Sequence, residues 1–258
     1  MSLDLPRTGA RSPRLVPNEI RVALEGGAPS VNHMEQMAID MGVLLANAFP
    51  ELAQHSERLC RGGLVVKMRA GGEVLFETLG KAAWKAARKH RSDSVRGWGA
   101  MAIGACPGLA LDERLDLVKP FADDPHFAVR EWAWLAVRPH VIDAPLEALG
   151  LLSPLTASPS PRLRRFASEA TRPRGVWSAH IPILKEKPKH GASLLEQLRR
   201  DPSTYVQNSV GNWLNDASKS DPQWVRAICE AWLAEGDAAE TKRICVRGMR
   251  TLKRTAAV

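Results

Sequence analysis

SDSVRGWGAMAIG (Ser92–Gly104), PHFAVREWAWLAV (Pro125–Val137), SPRLRRFASEATR (Ser160–Arg172) and the more distant STYVQNSVGNWLN (Ser203–Asn215) are copies of one pattern. Their apolar anchors, Val95, Val129, Leu163 and Val206, are spaced 34, 34 and 43 residues apart. In the first three an arginine follows the anchor: Arg96, Arg130 and Arg164. A stretch rich in Asp, Ser or Pro precedes each copy, as suits a turn that caps the next helix. Periods of this length holding two helices mark an α-solenoid. One pair cannot bury its apolar face alone, so pairs stack into a curved slab with a concave side. The expected class is therefore all-α, a HEAT-like solenoid of paired antiparallel helices.

Outward from the repeats the chain stays helical. Met34, Met37, Ile39, Met41, Leu44, Leu45 and Ala48 follow an i, i+3, i+4 pattern that Pro50 stops. Leu64-Val65-Val66 is the one short strand candidate, and Gly62-Gly63 before it suits the start of a helix equally well. Residues 1–30 hold Pro6, Pro13, Pro17 and Pro29 and read as a poorly ordered lead-in with one short helix around Asn18 to Leu24. Residues 31–258 form the expected repeat domain.

Composition narrows the function classes. The net charge of +8 and pI of about 9.6 favour a polyanionic partner. Cys60, Cys106, Cys229 and Cys245 show no CxxC pair, so neither a metal site nor a disulfide framework is expected, and a reducing compartment is. No apolar run approaches a membrane span, and the expected location is the cytoplasm.

Basic residues cluster in three places: Arg162 to Arg174, Lys81 to Lys89, and a C-terminal run from Lys242 through Arg247 and Arg250 to Arg254. Each alone is a solvated helix face; together on a curved slab they suggest a phosphate track. The acids inside the repeats are more informative. Glu131, Glu169 and Asp216 follow their anchors by 2, 6 and 10 residues. Those offsets differ by about one helical turn, so the three carboxylates share a direction from parallel helices. An ion pair or a cap accounts for any one of them singly. A line of carboxylates inside a basic groove instead suits a substrate that carries or develops positive charge. Trp213 lies one turn before Asp216, and Trp177 follows the helix-breaking Pro173-Arg174-Gly175, so both are candidates to meet such a ligand through a cation–π face. Trp132 and Trp134 lie two residues apart and cannot both face inward, so one of them is expected in the core.

FASEATRPRGVWSAHIPILKEKP (Phe166–Pro188) and LLEQLRRDPSTYVQNSVGNWLNDASKSDPQWV (Leu194–Val225) resemble the AlkC-type DNA alkylation repair glycosylases. The resemblance implies a HEAT-like solenoid that hydrolyses the N-glycosidic bond of cationic bases such as 3-methyladenine in duplex DNA, without full base flipping. It implies Asp216, Glu169 and Glu131 as catalytic carboxylates and Trp177 as an aromatic packed near the lesion; Trp213 is a second lesion-contacting candidate from its spacing to Asp216. Arg172 and Arg174 match an RPR element for which DNA contact is inferred; Arg130, Lys219, Arg247 and Arg250 complete the expected DNA-binding set. No cofactor and no metal are expected, the partner is double-stranded DNA containing alkylated bases, and the protein is expected to act as a monomer away from membranes. A non-catalytic HEAT-like module binding nucleic acid or protein remains the alternative: it keeps the basic groove and needs none of the three acids.

Overall fold

The computed structural model describes residues 7–255, with side chains described as far as Leu252. Among them every regular element is helical, and no strand occurs. The chain divides into two compact units, residues 1–137 and 138–258.

The first unit opens with α1 (Asn18–Glu25), α2 (His33–Ala38), α3 (Met41–Ala48) and α4 (Leu64–Leu79). It continues with α5 (Ala83–Arg88), α6 (Asp93–Ala105), α7 (Leu111–Ala122) and most of α8 (Phe127–Asp143). The pattern from Met34 to Ala48 is two helices instead of one: the Asp40 carboxylate accepts the amides of Gly42 and Val43 and starts a new helix there. Leu64-Val65-Val66 is the first turn of α4. Lys81 lies in a 3-10 turn ahead of α5, so the basic run from Lys81 to Lys89 is not one continuous helix. Helices α4 and α6 pack at very short range because α4 carries Gly71 and Gly72. A Cβ at Gly71 would lie 2.4 Å from the Trp98 indole nitrogen, and one at Gly72 2.3 Å from Met101 Cβ.

Within the expected lead-in, residues 1–6 lie outside the described residues. The remainder holds α1 and is tied to α6 by a buried carboxylate. Asp93 accepts the Ser30 amide at 2.7 Å, the Ser30 hydroxyl at 2.8 Å and the Gln36 side-chain amide at 2.6 Å. A buried carboxylate with three donors is stable where a lone one is not.

The second unit contains α9 (Pro145–Leu152), α10 (Pro161–Ala170), α11 (Pro182–Glu186) and α12 (Ala192–Leu198). After these come α13 (Thr204–Ala217), α14 (Pro222–Ala234), α15 (Ala239–Gly248) and α16 (Arg250–Thr255). Helices α13 and α15 again meet through glycines, Gly211 against Arg247 and Gly248 against Leu214.

The repeat has a physical meaning that its apolar anchors do not reveal. Five residues before each anchor stands a side chain that accepts the backbone amide two residues on: His90 from Ser92, Asp124 from His126, Ser158 from Ser160, and Asp201 from Ser203. The arginine after the anchor reaches back over this turn. Arg96 donates to the carbonyls of His90 and Arg91, Arg130 to those of Asp124 and Pro125, and Arg164 to those of Ser158 and Pro159, all between 2.8 and 3.1 Å. In the fourth copy Gln207 does the same to Asp201. Two of these arginines also grip the turn of the following copy bidentately: Arg96 holds Asp124 and Arg164 holds Asp201. The arginine pattern is therefore a staple between successive turns.

Candidate functional site

In the second unit Glu169 lies in the last turn of α10 and Asp216 in the last turn of α13, and Arg172, in the turn after α10, joins them. Its Nη1 donates to Glu169 Oε1 at 2.7 Å, while Nε and Nη2 meet Asp216 Oδ2 at 2.9 and 2.8 Å. Glu169 Oε2 accepts the Ser209 hydroxyl at 2.6 Å and faces Arg165 at 3.5 Å; Ser168 in turn donates to Ser209 at 2.8 Å. Both carboxyl-bearing residues are only 4% exposed. The offsets of 6 and 10 residues thus do bring the two acids to one place, but they lie beneath the surface.

Electrostatics hold Glu169 and Arg172 charged. Burial pushes the Glu169 carboxyl up, yet Arg165 and Arg172, with the hydrogen bonds from Ser209 and Arg172, outweigh it and hold the group below the ordinary glutamate value. Burial likewise pulls Arg172 down, and Glu169 and Asp216 more than restore it. Asp216 Oδ1 faces Lys219 at 3.6 Å, with the lysine side chain 42% exposed. Arg174 donates to the Asp216 carbonyl at 3.1 Å and to the Ser220 hydroxyl at 2.8 Å. Arg250 belongs to the same field: burial, then Arg247, lower its pKa, while Asp216 opposes them. Arg247 donates to the Asn212 side chain at 2.9 Å, and Arg250 to the Arg247 carbonyl at 2.9 Å. Together with Asn208, Lys242, Arg243 and Val246 these two line a shallow basic groove.

Between α10 and α11 the chain makes a tight loop, closed by the Ile181 amide on the Pro173 carbonyl at 3.0 Å. Trp177 stands in it 50% exposed and with a φ of 62°. A bulky residue in that left-handed region is a backbone outlier, at a cost of about 1–3 kcal/mol.

The two tryptophans expected at the ligand part company here. Trp213 is fully buried: its indole nitrogen donates to the Thr171 carbonyl at 3.0 Å, and its ring lies against Gly191, where a Cβ would come within 2.4 Å. It fills the core beneath the site and has no face to offer a ligand. Trp132 and Trp134 are both core, at 0% and 5% exposure. Glu131 lies in the first unit, partly buried, where its carboxylate accepts the Trp134 indole N–H at 2.8 Å. Arg130, also in the first unit, occupies the carbonyl-binding place of its repeat. Of the C-terminal basic run, the side chains of Lys253 and Arg254 lie outside the described residues.

Three residues of the cluster are absent from the sequence expectations. Ser168 and Ser209 carry no pattern that distinguishes them from other helix-face serines. Arg138 does: it follows the apolar run of Trp132 to Val137, where a charge is out of place. No metal-binding group of three or more His, Cys, Asp or Glu occurs among the described residues, and no described helix is long and apolar enough to cross a membrane.

Residues 132–248, which contain Glu169, Arg172 and Asp216, match the family model described as DNA alkylation repair enzyme. An uncharacterized protein of Bacillus subtilis (strain 168), YhaZ, is 37% identical over 117 residues, covering 45% of this chain and 32% of the relative. The structure of the Pseudomonas fluorescens alkylpurine DNA glycosylase AlkC, bound to DNA containing an abasic site analog, superposes with a TM-score of 0.68 at 21% identity, over 95% of this chain and 66% of that one. The protein smu.31 from Streptococcus mutans UA159 follows with a TM-score of 0.57 at 23% identity, over 70% and 90%. The chain thus spans about a third of the length of its curated relative, and just under two thirds of the glycosylase chain. At these identities the structural likeness is one of fold, an all-α HEAT-like helical repeat.

Proposed function

We propose that this protein is an AlkC-type DNA glycosylase that removes cationic alkylated bases, of the 3-methyladenine kind, from double-stranded DNA, and that it does so without a cofactor and as a monomer in the cytoplasm. The observation that carries the reading is the pair of buried carboxylates, Glu169 and Asp216, lying beneath a basic rim of Arg172, Arg174, Lys219 and Arg250. A half-exposed Trp177 stands on the adjoining loop. The chemistry of the substrate explains why such an arrangement suffices. A 3-methylated adenine already carries a positive charge, so the C1′–N bond breaks with its electron pair neutralising the departing base, and no general acid is needed. The deoxyribose is left as an oxocarbenium-like cation that a nearby carboxylate stabilises. Water then attacks C1′, and its proton passes to a carboxylate or to solvent. Asp216, whose Oδ1 points toward Lys219 and the rim, is assigned that water. Glu169 sustains the negative field. Glu131 is assigned a charge-attracting role by the register of its repeat. Trp177 supplies a π face to the cationic base, which is read without being extruded into a deep pocket.

One observation favours the non-catalytic reading: both buried carboxylates already have internal partners, as structural ion pairs do. Incubation with methylated genomic DNA and chromatographic identification of released bases separates the two. Release of 3-methyladenine above the spontaneous rate is expected. Salt-sensitive DNA binding with no release would make the protein a binding module.

A further inference from the structure

Arg138 is completely buried, and the hydrogen bonds of its guanidinium run to main-chain carbonyls. Nη1 donates to Ala170 at 2.9 Å, and Nε and Nη2 both donate to Ala179, at 3.2 and 3.1 Å. Those two residues flank the loop that carries Trp177. One carbonyl belongs to the last turn of α10, and the other lies nine residues on, just ahead of α11. A planar fork with divergent donors can hold two points at a fixed separation, as a point-like ammonium or a single amide cannot. Burial pulls the Arg138 pKa down, to about 10, with Arg172 acting the same way and Glu169 and Asp216 opposing; the group is charged at neutral pH.

The loop needs such a clamp. Trp177 sits at a φ of 62°, a conformation that bulky residues leave unless the surroundings enforce it. Within the loop the Ile181–Pro173 hydrogen bond fixes one rung, and Gly175 packs so closely that a Cβ would fall 2.1 Å from the Ser178 hydroxyl. Arg138 fixes a second tie that overlaps the first, from Ala170 before Pro173 to Ala179 before Ile181.

We propose that Arg138 is a positioning residue for Trp177: by joining the Ala170 and Ala179 carbonyls it closes the base of the loop and holds the indole in its strained, half-exposed pose. The proposal rests on the reading of Trp177 as the aromatic that meets the damaged base, and its test separates the two. Arg138→Lys in the full chain keeps charge and stem but loses the fork. The Trp177 signal is isolated as the difference in acrylamide quenching between each protein and its Trp177→Phe counterpart. In Arg138→Lys, that signal moves from a half-exposed to a freely quenched indole while the rest of the spectrum stays native. Single-turnover release of 3-methyladenine falls about tenfold, the worth of one cation–π contact. The double variant Arg138→Lys/Trp177→Ala then releases base no more slowly than Trp177→Ala alone, because residues that act through one another do not add.

Unchanged Trp177 quenching in a folded Arg138→Lys protein, or losses that multiply in the double variant, would overturn the proposal. Where the lysine variant does not fold, Arg138→Gln takes its place; failure of both to fold would also overturn it, by making Arg138 a core residue. A wild-type protein that releases no base refutes the glycosylase reading, and the quenching difference still decides whether Arg138 sets the pose of Trp177.

Discussion

Replacing Arg172 with methionine leaves two buried carboxylates facing each other without the guanidinium that binds both. The side chains of Arg172, Glu169 and Asp216 are 13%, 4% and 5% exposed, so solvent does little to screen what remains. Breaking a buried pair by deleting one partner costs about 3–5 kcal/mol. Glu169 keeps Arg165 and Ser209, which places the expected loss toward the lower end, about 3–4 kcal/mol. For a chain of this size that lowers the melting temperature by roughly 10 °C. Neutralising the whole cluster in Glu169→Gln/Arg172→Met/Asp216→Asn removes the uncompensated charges together, and the triple variant recovers to within about 2 kcal/mol of wild type. Urea denaturation between pH 7 and pH 4 measures both. The Glu169 carboxyl titrates below its ordinary value in the folded protein, so its contribution is present in full above the unfolded value and is lost as pH falls through the folded one. In Arg172→Met the Glu169 carboxyl loses one of the groups that hold it down and takes up a proton more readily, so the gap to wild type narrows as pH falls. An Arg172→Met protein within about 1 kcal/mol of wild type at pH 7, or a triple variant less stable than the single, would refute this account of the cluster.

Asp216→Asn keeps the size of the side chain and one oxygen for Arg172. Base release should fall by about 10²–10⁴ in single-turnover assays while melting shifts by only a few degrees; wild-type turnover in the folded variant removes Asp216 from the mechanism. Arg174→Ala and Arg250→Ala should each weaken binding to duplexes of any sequence and reduce the salt slope of log K by about one, and unchanged slopes in fluorescence anisotropy titrations would remove both from the phosphate track. Arg164→Met should lower stability by about 2–4 kcal/mol through loss of the bidentate Asp201 pair and two carbonyl hydrogen bonds, with no change in the release rate of the folded fraction. A stability loss under about 1 kcal/mol in calorimetry would show that the staple between turns is ornamental.

The repeats are legible because anchor and arginine recur at fixed spacing, but the use of that arginine is not. Its partners are carbonyls, which every residue has, and an aspartate 28 or 37 residues away. The aspartates five residues before Val129 and Val206 are the sign that discloses it. Phase places Glu169 and Asp216 on one side of their helices; depth is a different quantity, and only packing shows that both lie 4% exposed under Arg172. Trp213 shares the phase of Asp216 as well, yet its ring turns into the space left by Gly191, a residue far enough along the chain to escape any helical periodicity. The break at Asp40 escapes the pattern for a related reason: an apolar stripe can run unbroken across two helices when a cap residue falls on its polar side.

The spacing between the last two anchors is 43 residues where the earlier ones are 34, and the α10–α11 loop falls inside that longer interval. Arg164 still reaches Asp201 across the extra length, so the chain of stapled turns does not register the added segment. The exposed tip of the segment, Val176 and Trp177, can therefore vary without renegotiating the stacking of the helices, while Arg174 and the Ala179 carbonyl on either side of it are held. Trp177, with its unusual backbone, rides on this tolerated insertion, which makes the loop a replaceable cassette on an indifferent chassis. On the proposed glycosylase reading, changes in which damaged base is accepted are open to chains that rewrite the exposed tip at Val176 and Trp177 and leave the staples untouched.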